Sequence, residues 1–184
     1  MPTSKKKKKR INVIFGGSTS ERQVSLMSGT NAWLKLRRSH RYDPQPYLLD
    51  MNNNVWELPY ALTLNHTVEE IYENAISAAS DEEKLKDLSE KVRLKLALEE
   101  GESTETFFLP KKMSLADYID QSEFAFLGLH GGDGEDGTIQ AILERKNVKF
   151  NGPGSESSKI CSDKHQTGIE VEGLNDPGII TAPK

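Results

Sequence analysis

"FLGLHGGDGEDGTIQ" (residues 126–140) decides the fold. An apolar run ends at His130. Glycines and acids fill the next seven positions, and an amphipathic pattern then starts, with Ile139, Ile142 and Leu143 on one face. A strand, a glycine loop and a helix in that order open an α/β unit. The glycines at 131, 132, 134 and 137 let a ligand approach the backbone closely. His130 stands at the strand end, where open α/β sheets place working side chains. Glu135 follows five residues on. Asp133 reads as a turn residue and Asp136 as the helix N-cap. His, Asp and Glu together raise the question of a metal, but their spacing matches no ligand cluster, so none is expected here.

The same unit occurs at the other end of the chain. "INVIF" (11–15) is a β-branched and aromatic run, "GGSTS" is a loop, and "ERQVSLMSGTNAWLKLRR" (21–38) has helical spacing in two registers. Val24, Met27 and Leu34 form one register, and Leu26, Trp33 and Leu36 the other. Gly16 and Gly17 permit positive φ. Ser18 or Ser20 can cap the helix, and Ser20 with Gln23 offers a capping box. Free N–H groups at a helix start suit an anion, but Glu21 puts a negative charge there. Its carboxylate either complements the helix dipole or holds a ligand ammonium. The loop is neither G-x-G-x-x-G nor a P-loop.

Between these units, "YDPQPYLLD" (42–50) reads as a strand and "NNNVWEL" (52–58) as a turn with a short edge hairpin. Val68, Ile71, Tyr72 and Ala75 predict a helix near 67–79. Leu85, Leu88, Val92 and Leu96 repeat the pattern, and "GESTET" breaks it. Residues 61–113 therefore read as a helical insertion. "SLADYIDQS" (114–122) predicts a short helix capped by Ser114, "EFAFLGL" (123–129) a strand, "VKFNG" (148–152) another, and "SESSKICSDKHQTG" one more helix. The alternation gives a three-layer α/β/α sandwich with a mainly parallel sheet. In such a sheet both glycine loops open on one edge and form one site.

Composition narrows the classes. The 184 residues suffice for one domain with a real core, and a net charge of −4 argues against a whole-domain nucleic-acid binder. "KKKKKR" (5–10) reads as a solvated tail over residues 1–10, with an electrostatic arm for nucleic acid or anionic lipid as the other reading. No stretch resembles a signal peptide or a membrane span, so the expected location is cytoplasmic, with no membrane or nucleic-acid partner. Cys161 is the only cysteine, so an internal disulfide and a cysteine metal cluster are excluded.

Three stretches carry a specific resemblance. "FGGSTSERQVSLMSG" is similar to the N-terminal motif of D-alanine–D-alanine ligases, roughly G-G-x-S-x-E-x-x-V-S-x-x-S. "LHGGDGEDGTIQAILE" resembles that family's H-G-x-x-G-E-D-G-x-x-Q-x-x-L-E. "KFNGPGSESSKICSDKHQTG" is similar to the segment that follows. The resemblance implies a Rossmann-like, pre-ATP-grasp domain over residues 11–155 and, from 156 to 184, a connector toward ATP-grasp domains. It implies ATP and Mg²⁺ as cofactors, a D-alanyl phosphate intermediate, a dipeptide for peptidoglycan precursors, and a homodimer. By matching position, Glu21 binds the ammonium of the first D-alanine, His130 lines the same subsite and Glu135 holds His130. Lys164, otherwise a solvated helix lysine, contacts ATP phosphates. The Mg²⁺ ligands, adenine pocket and second D-alanine subsite have no counterpart in these residues, so the 184-residue chain alone is expected to be inactive. A D-alanine–D-lactate or D-alanine–D-serine ligase, and a non-catalytic amino-acid-binding module, are the alternative readings.

Overall fold

The computed structural model describes residues 8–97 and 109–179. Residues 1–7 of the basic tail, the "GESTET" break and the last five residues of the connector lie outside them. The sheet has six strands in the order β4-β3-β2-β1-β5-β6. β1 (Lys9–Gly16), β2 (Tyr42–Leu49), β5 (Phe124–Leu127) and β6 (Lys149–Phe150) are parallel. β3 (Asn54–Glu57) and β4 (Lys111–Ser114) extend the sheet antiparallel.

Period-two alternation sends side chains to both faces. Ile11, Val13 and Phe15 of β1 pack with Leu48, Trp56 and Leu58 under α1 (Arg22–Arg37) and α3 (Val68–Ser80), burying Leu26, Trp33, Val68, Ile71 and Ala75. Ile14, Tyr47, Leu49 and Val55 face the other way, against Tyr118 and Ile119 of α5 (Leu115–Asp120) and Ile139 and Leu143 of α6 (Thr138–Arg145). The result is three layers with a mainly parallel sheet, as the alternation predicts. Of the two registers in α1, the one carrying Leu26 and Trp33 is buried, while Val24, Met27 and Leu34 remain exposed. Pro44 and Pro46 stand opposite Ile11 and Val13 of β1. Their carbonyls accept from the Trp33 indole and the Leu58 N–H, so their ring nitrogens face the other side, away from β1, where β3 pairs only with Tyr47–Leu49. Their missing N–H groups therefore break no ladder.

Several expectations change. Lys9 and Arg10 belong to β1, and Arg10 bonds the Tyr47 hydroxyl at 2.8 Å and Glu57 at 3.2 Å, so the basic run ends inside the sheet. The 61–113 section is helical in α2 (Tyr60–Thr63), α3 and α4 (Glu82–Leu96), but it closes with β4, which makes β3 an inner strand. The Ser20–Gln23 capping box does not form. The α1 N-cap is Glu21, with no side-chain cap bond, and Gln23 instead bonds Glu69 at 2.6 Å and accepts the Val68 N–H. Arg22 reaches the same Glu69 at 2.6 Å, docking α3 on α1. The helix expected after residue 155 is two: α7 (Ser155–Ser162) and α8 (Lys164–Gly173), broken at Asp163. Asp163 caps α8 through the N–H groups of His165 and Gln166, which hold its carboxyl below the usual range.

Ser114 caps α5 as expected, in a reciprocal box with Asp117. Ser114→Ala is expected to lower Tm by about 2–4 °C, read by circular dichroism; an unchanged Tm would show that packing alone holds α5.

Candidate functional site

Both glycine loops open at the carboxyl ends of the parallel strands. After β1, Gly16 and Gly17 each have φ +97°, and a Cβ on Gly16 would lie 2.6 Å from the Leu49 carbonyl oxygen. The loop is pinned on both sides. Ser25 of α1 accepts the Gly16 N–H at 2.8 Å, and the Leu49 carbonyl accepts that of Gly17 at 2.8 Å. After β5, the chain turns at Gly131 (φ +69°) into a 3-10 turn over Gly132–Gly134. Gln140 holds that turn, donating to the Gly134 carbonyl at 2.8 Å. Asp133 lies in the turn, as its residue type suggests. The N-cap of α6 is Gly137 rather than Asp136, whose carboxylate accepts the Thr138 N–H at 2.9 Å and so acts one position earlier.

Thr19 joins the loops. Its hydroxyl donates to the His130 carbonyl at 2.8 Å, and its Oγ1 accepts the Glu21 N–H at 3.2 Å. Between the loops lies a cavity of about 230 Å³ bordered by Gly16, Gly17, Thr19, Asn53, Leu129 and His130, among others. Leu115, Ile139 and Ile142 supply an apolar wall. The lining thus combines glycine backbone, an apolar wall, the His130 imidazole and Asp133.

The His130 ring has a polar neighbour at each nitrogen. Nδ1 lies 3.4 Å from Glu135 Oε1, and Nε2 lies 2.9 Å from the Ser28 hydroxyl. Gly16, Gly17, His130 and Glu135 are thus brought together. Glu21 is exposed at the head of α1 and does not border the cavity, although it follows Thr19 by two residues. Lys164 is exposed at the start of α8, also away from the cavity lining. Ser28 stands at the last serine of the family motif and Thr19 where that motif has a serine, but the sequence alone assigned no role in the site to either of them, or to Asn53, because their contacts cross between elements far apart in the chain. A larger hollow, of about 450 Å³, lies at the opposite sheet edge, where Arg10 pairs with Glu57 and Arg37 lies over the Trp33 and Tyr60 rings.

Comparison with known proteins decides the family. The model of the D-ala D-ala ligase N-terminus matches residues 10–153. This chain belongs to the D-alanine–D-alanine ligase family. A D-alanine–D-alanine ligase from Pediococcus pentosaceus is 34% identical over 155 residues, covering 84% of this chain and 40% of that protein. One from Proteus mirabilis is 32% identical, covering 96% of this chain and 42% of that protein. The chain thus spans about two-fifths of the length of these ligases. Among solved structures, a D-Ala:D-Ser ligase from Enterococcus faecalis superimposes with TM-score 0.57 at 22% identity, over 97% of this chain and 44% of that one. The D-alanine–D-alanine ligase from Coxiella burnetii gives 0.56 at 20% identity, over 92% and 42%. These likenesses support the fold.

The family motifs acquire physical roles in this frame. Ser25 ties down Gly16, Gln140 ties down Gly134, and Glu144 accepts the Ser155 N–H at 2.9 Å, seating α7 against α6. Among the described residues no three His, Cys, Asp or Glu side chains converge, and no helix is long and apolar enough to cross a membrane.

Proposed function

We propose that this chain forms the first D-alanine subsite of an ATP-dependent D-alanine–D-alanine ligase. The observation that carries the reading is the cavity between the two glycine loops, bordered on one side by His130, which has the Glu135 carboxylate 3.4 Å from its ring. Gly16 and Gly17 let the backbone come close to a small substrate. His130 lines the subsite and Glu135 fixes it. Glu21, at the acid position of the family motif and two residues after Thr19, takes the substrate ammonium from the head of α1. Leu129, Leu115 and Ile139 form an apolar wall of the right size for a methyl group.

Residues 11–155 form the substrate domain and 156–184 lead toward the ATP-binding portion. Lys164, exposed as the first residue of α8, would supply a cation to the phosphates of ATP. Mg²⁺–ATP supplies the phosphoryl group that activates the D-alanine carboxylate for attack by a second D-alanine. These residues do not fit a Mg²⁺ cage, so this portion binds and orients the first amino acid. Charge neutralisation and in-line positioning belong to the rest of the family's length. The full enzyme acts as a cytoplasmic homodimer supplying dipeptide to peptidoglycan precursors.

Calorimetric titration of the 184-residue chain tests this. D-alanine is expected to bind saturably and L-alanine at least tenfold more weakly, with no ATP hydrolysis. His130→Ala and Glu21→Gln are each expected to weaken D-alanine roughly tenfold, the loss of one charge-assisted hydrogen bond. Equal binding of the two enantiomers, or none, would sink the reading.

A further inference from the structure

Ser28 has a contact that helix geometry does not require. A serine or threonine hydroxyl inside a helix ordinarily bonds the carbonyl one turn back. Thr30 in the same helix does so, donating to the Leu26 carbonyl at 2.6 Å. Ser28 instead reaches the His130 ring, Oγ to Nε2 at 2.9 Å, from an element 102 residues away in sequence.

The approach is built into the packing. Gly29, the next residue, lies against Phe15, where a Cβ would come within 2.5 Å of the ring-bearing carbon. Gly128, just after β5, lies against Gly29, its own Cβ position 2.8 Å from the Gly29 Cα. Two glycines in contact let the α1 backbone settle onto the end of β5. Only that closeness puts a side chain as short as serine beside His130.

We propose that Ser28 is a positioning residue that fixes the plane and the tautomer of His130. The Glu135 carboxylate lies 3.4 Å from Nδ1, a charge contact rather than a hydrogen bond, and its negative charge favours the neutral ring's proton on Nδ1, which leaves Nε2 bare. The Ser28 hydroxyl donates to Nε2 and satisfies it. The ring is thus set by a hydrogen bond at Nε2 and a carboxylate beside Nδ1. Thr19 fixes the backbone of the same residue through the His130 carbonyl, so main chain and side chain are both held from the first loop and its helix. The consequence for D-alanine rests on the function proposed above; the consequence for the ring does not.

The test uses the 184-residue chain with isotope-labelled histidine. Wild type is expected to show the Nδ1–H tautomer for His130 in long-range proton–nitrogen spectra. Ser28→Ala is expected to give a mixture of tautomers with little change in Tm, since alanine is the best helix former, and to raise the D-alanine dissociation constant roughly fivefold. Ser28→Thr keeps the hydroxyl and is expected to restore both readouts to within about twofold of wild type. Ring nitrogen signals in Ser28→Ala identical to wild type would overturn the proposal. If wild type binds no D-alanine while Ser28→Ala still changes the tautomer, the substrate reading fails and the role of Ser28 stands.

Discussion

Gly128→Ala is expected to lower stability by about 2–3 kcal/mol, seen as a drop in Tm of roughly 5–10 °C. The atoms that its Cβ would meet are all backbone: Gly29 Cα at 2.8 Å, Gly29 N at 3.1 Å and Ile14 O at 3.3 Å. Backbone cannot swing aside as a flexible side-chain tip does, so either α1 lifts from the sheet or the end of β5 moves. Either shift lengthens the Ser28–His130 contact. Histidine resonances are therefore expected to change together with Tm. Gly168→Ala is the matched control. It sits inside α8 with nothing within 4 Å of its Cβ position, so the substitution is expected to be neutral or slightly stabilising. A Gly128→Ala chain that melts within about 2 °C of wild type would mean that helix and sheet have more room than the distances allow.

The two βα units were legible because their signals are local. β1, its glycine loop and α1 occupy consecutive residues with a clean change of period, as do β5, its loop and α6. Elements whose reasons lie elsewhere in the chain were harder to read. β4 is "KKMS", exposed and lysine-bearing, the composition that protects a sheet edge from further pairing. Nothing in those four residues announces that they pair with Asn54–Glu57. Likewise Ser20 and Gln23 have capping-box spacing, but Glu69 and the Val68 N–H offer Gln23 a tertiary contact that displaces the local one. The break at Asp163 is a case where the cap was visible in hindsight: an Asp before Lys-His-Gln has two N–H groups to accept.

The site divides along the same line. Gly16, Gly17, His130 and Glu135 stood out because glycine-rich loops after strands are themselves a signal. The residues that make those loops one pocket did not. Thr19 and His130 are 111 residues apart, and Ser28 and His130 are 102 apart. Their contacts exist only because the sheet order sets β1 beside β5. Motif spacing preserved Ser25 and Ser28 as positions, and the structure gives each a separate job: Ser25 holds the loop backbone and Ser28 meets the imidazole.

Asp50→Ala is expected to cost about 3–4 kcal/mol and to loosen the wall of the cavity that Asn53 forms. Asp50 follows β2 and is only 2% exposed. Its Oδ1 accepts the N–H groups of Asn52 at 2.8 Å and Asn54 at 2.9 Å, and its Oδ2 accepts the Trp56 indole N–H at 3.0 Å and the Asn54 amide at 3.2 Å. One side chain therefore closes the β2–β3 turn and satisfies a buried tryptophan. It also keeps Asn53 in the left-handed region, at φ +59°. With the carboxylate gone, the Trp56 N–H is left buried without an acceptor, and an unpaired buried donor costs more than the bond it loses. Asp50→Asn retains one acceptor oxygen and should cost about half as much. The coupling is measurable by urea denaturation in a double-mutant cycle with Trp56→Phe, which removes the orphaned donor. Asp50→Ala should then cost less in the phenylalanine background, by about 1–2 kcal/mol. Additive losses would separate the turn from the tryptophan, and a cost below about 0.5 kcal/mol for Asp50→Ala would show that the turn closes on its own. Because Asn53 borders the cavity, D-alanine affinity should fall with Asp50→Ala under conditions where the chain is still fully folded, which ties the order of this turn to the shape of the site.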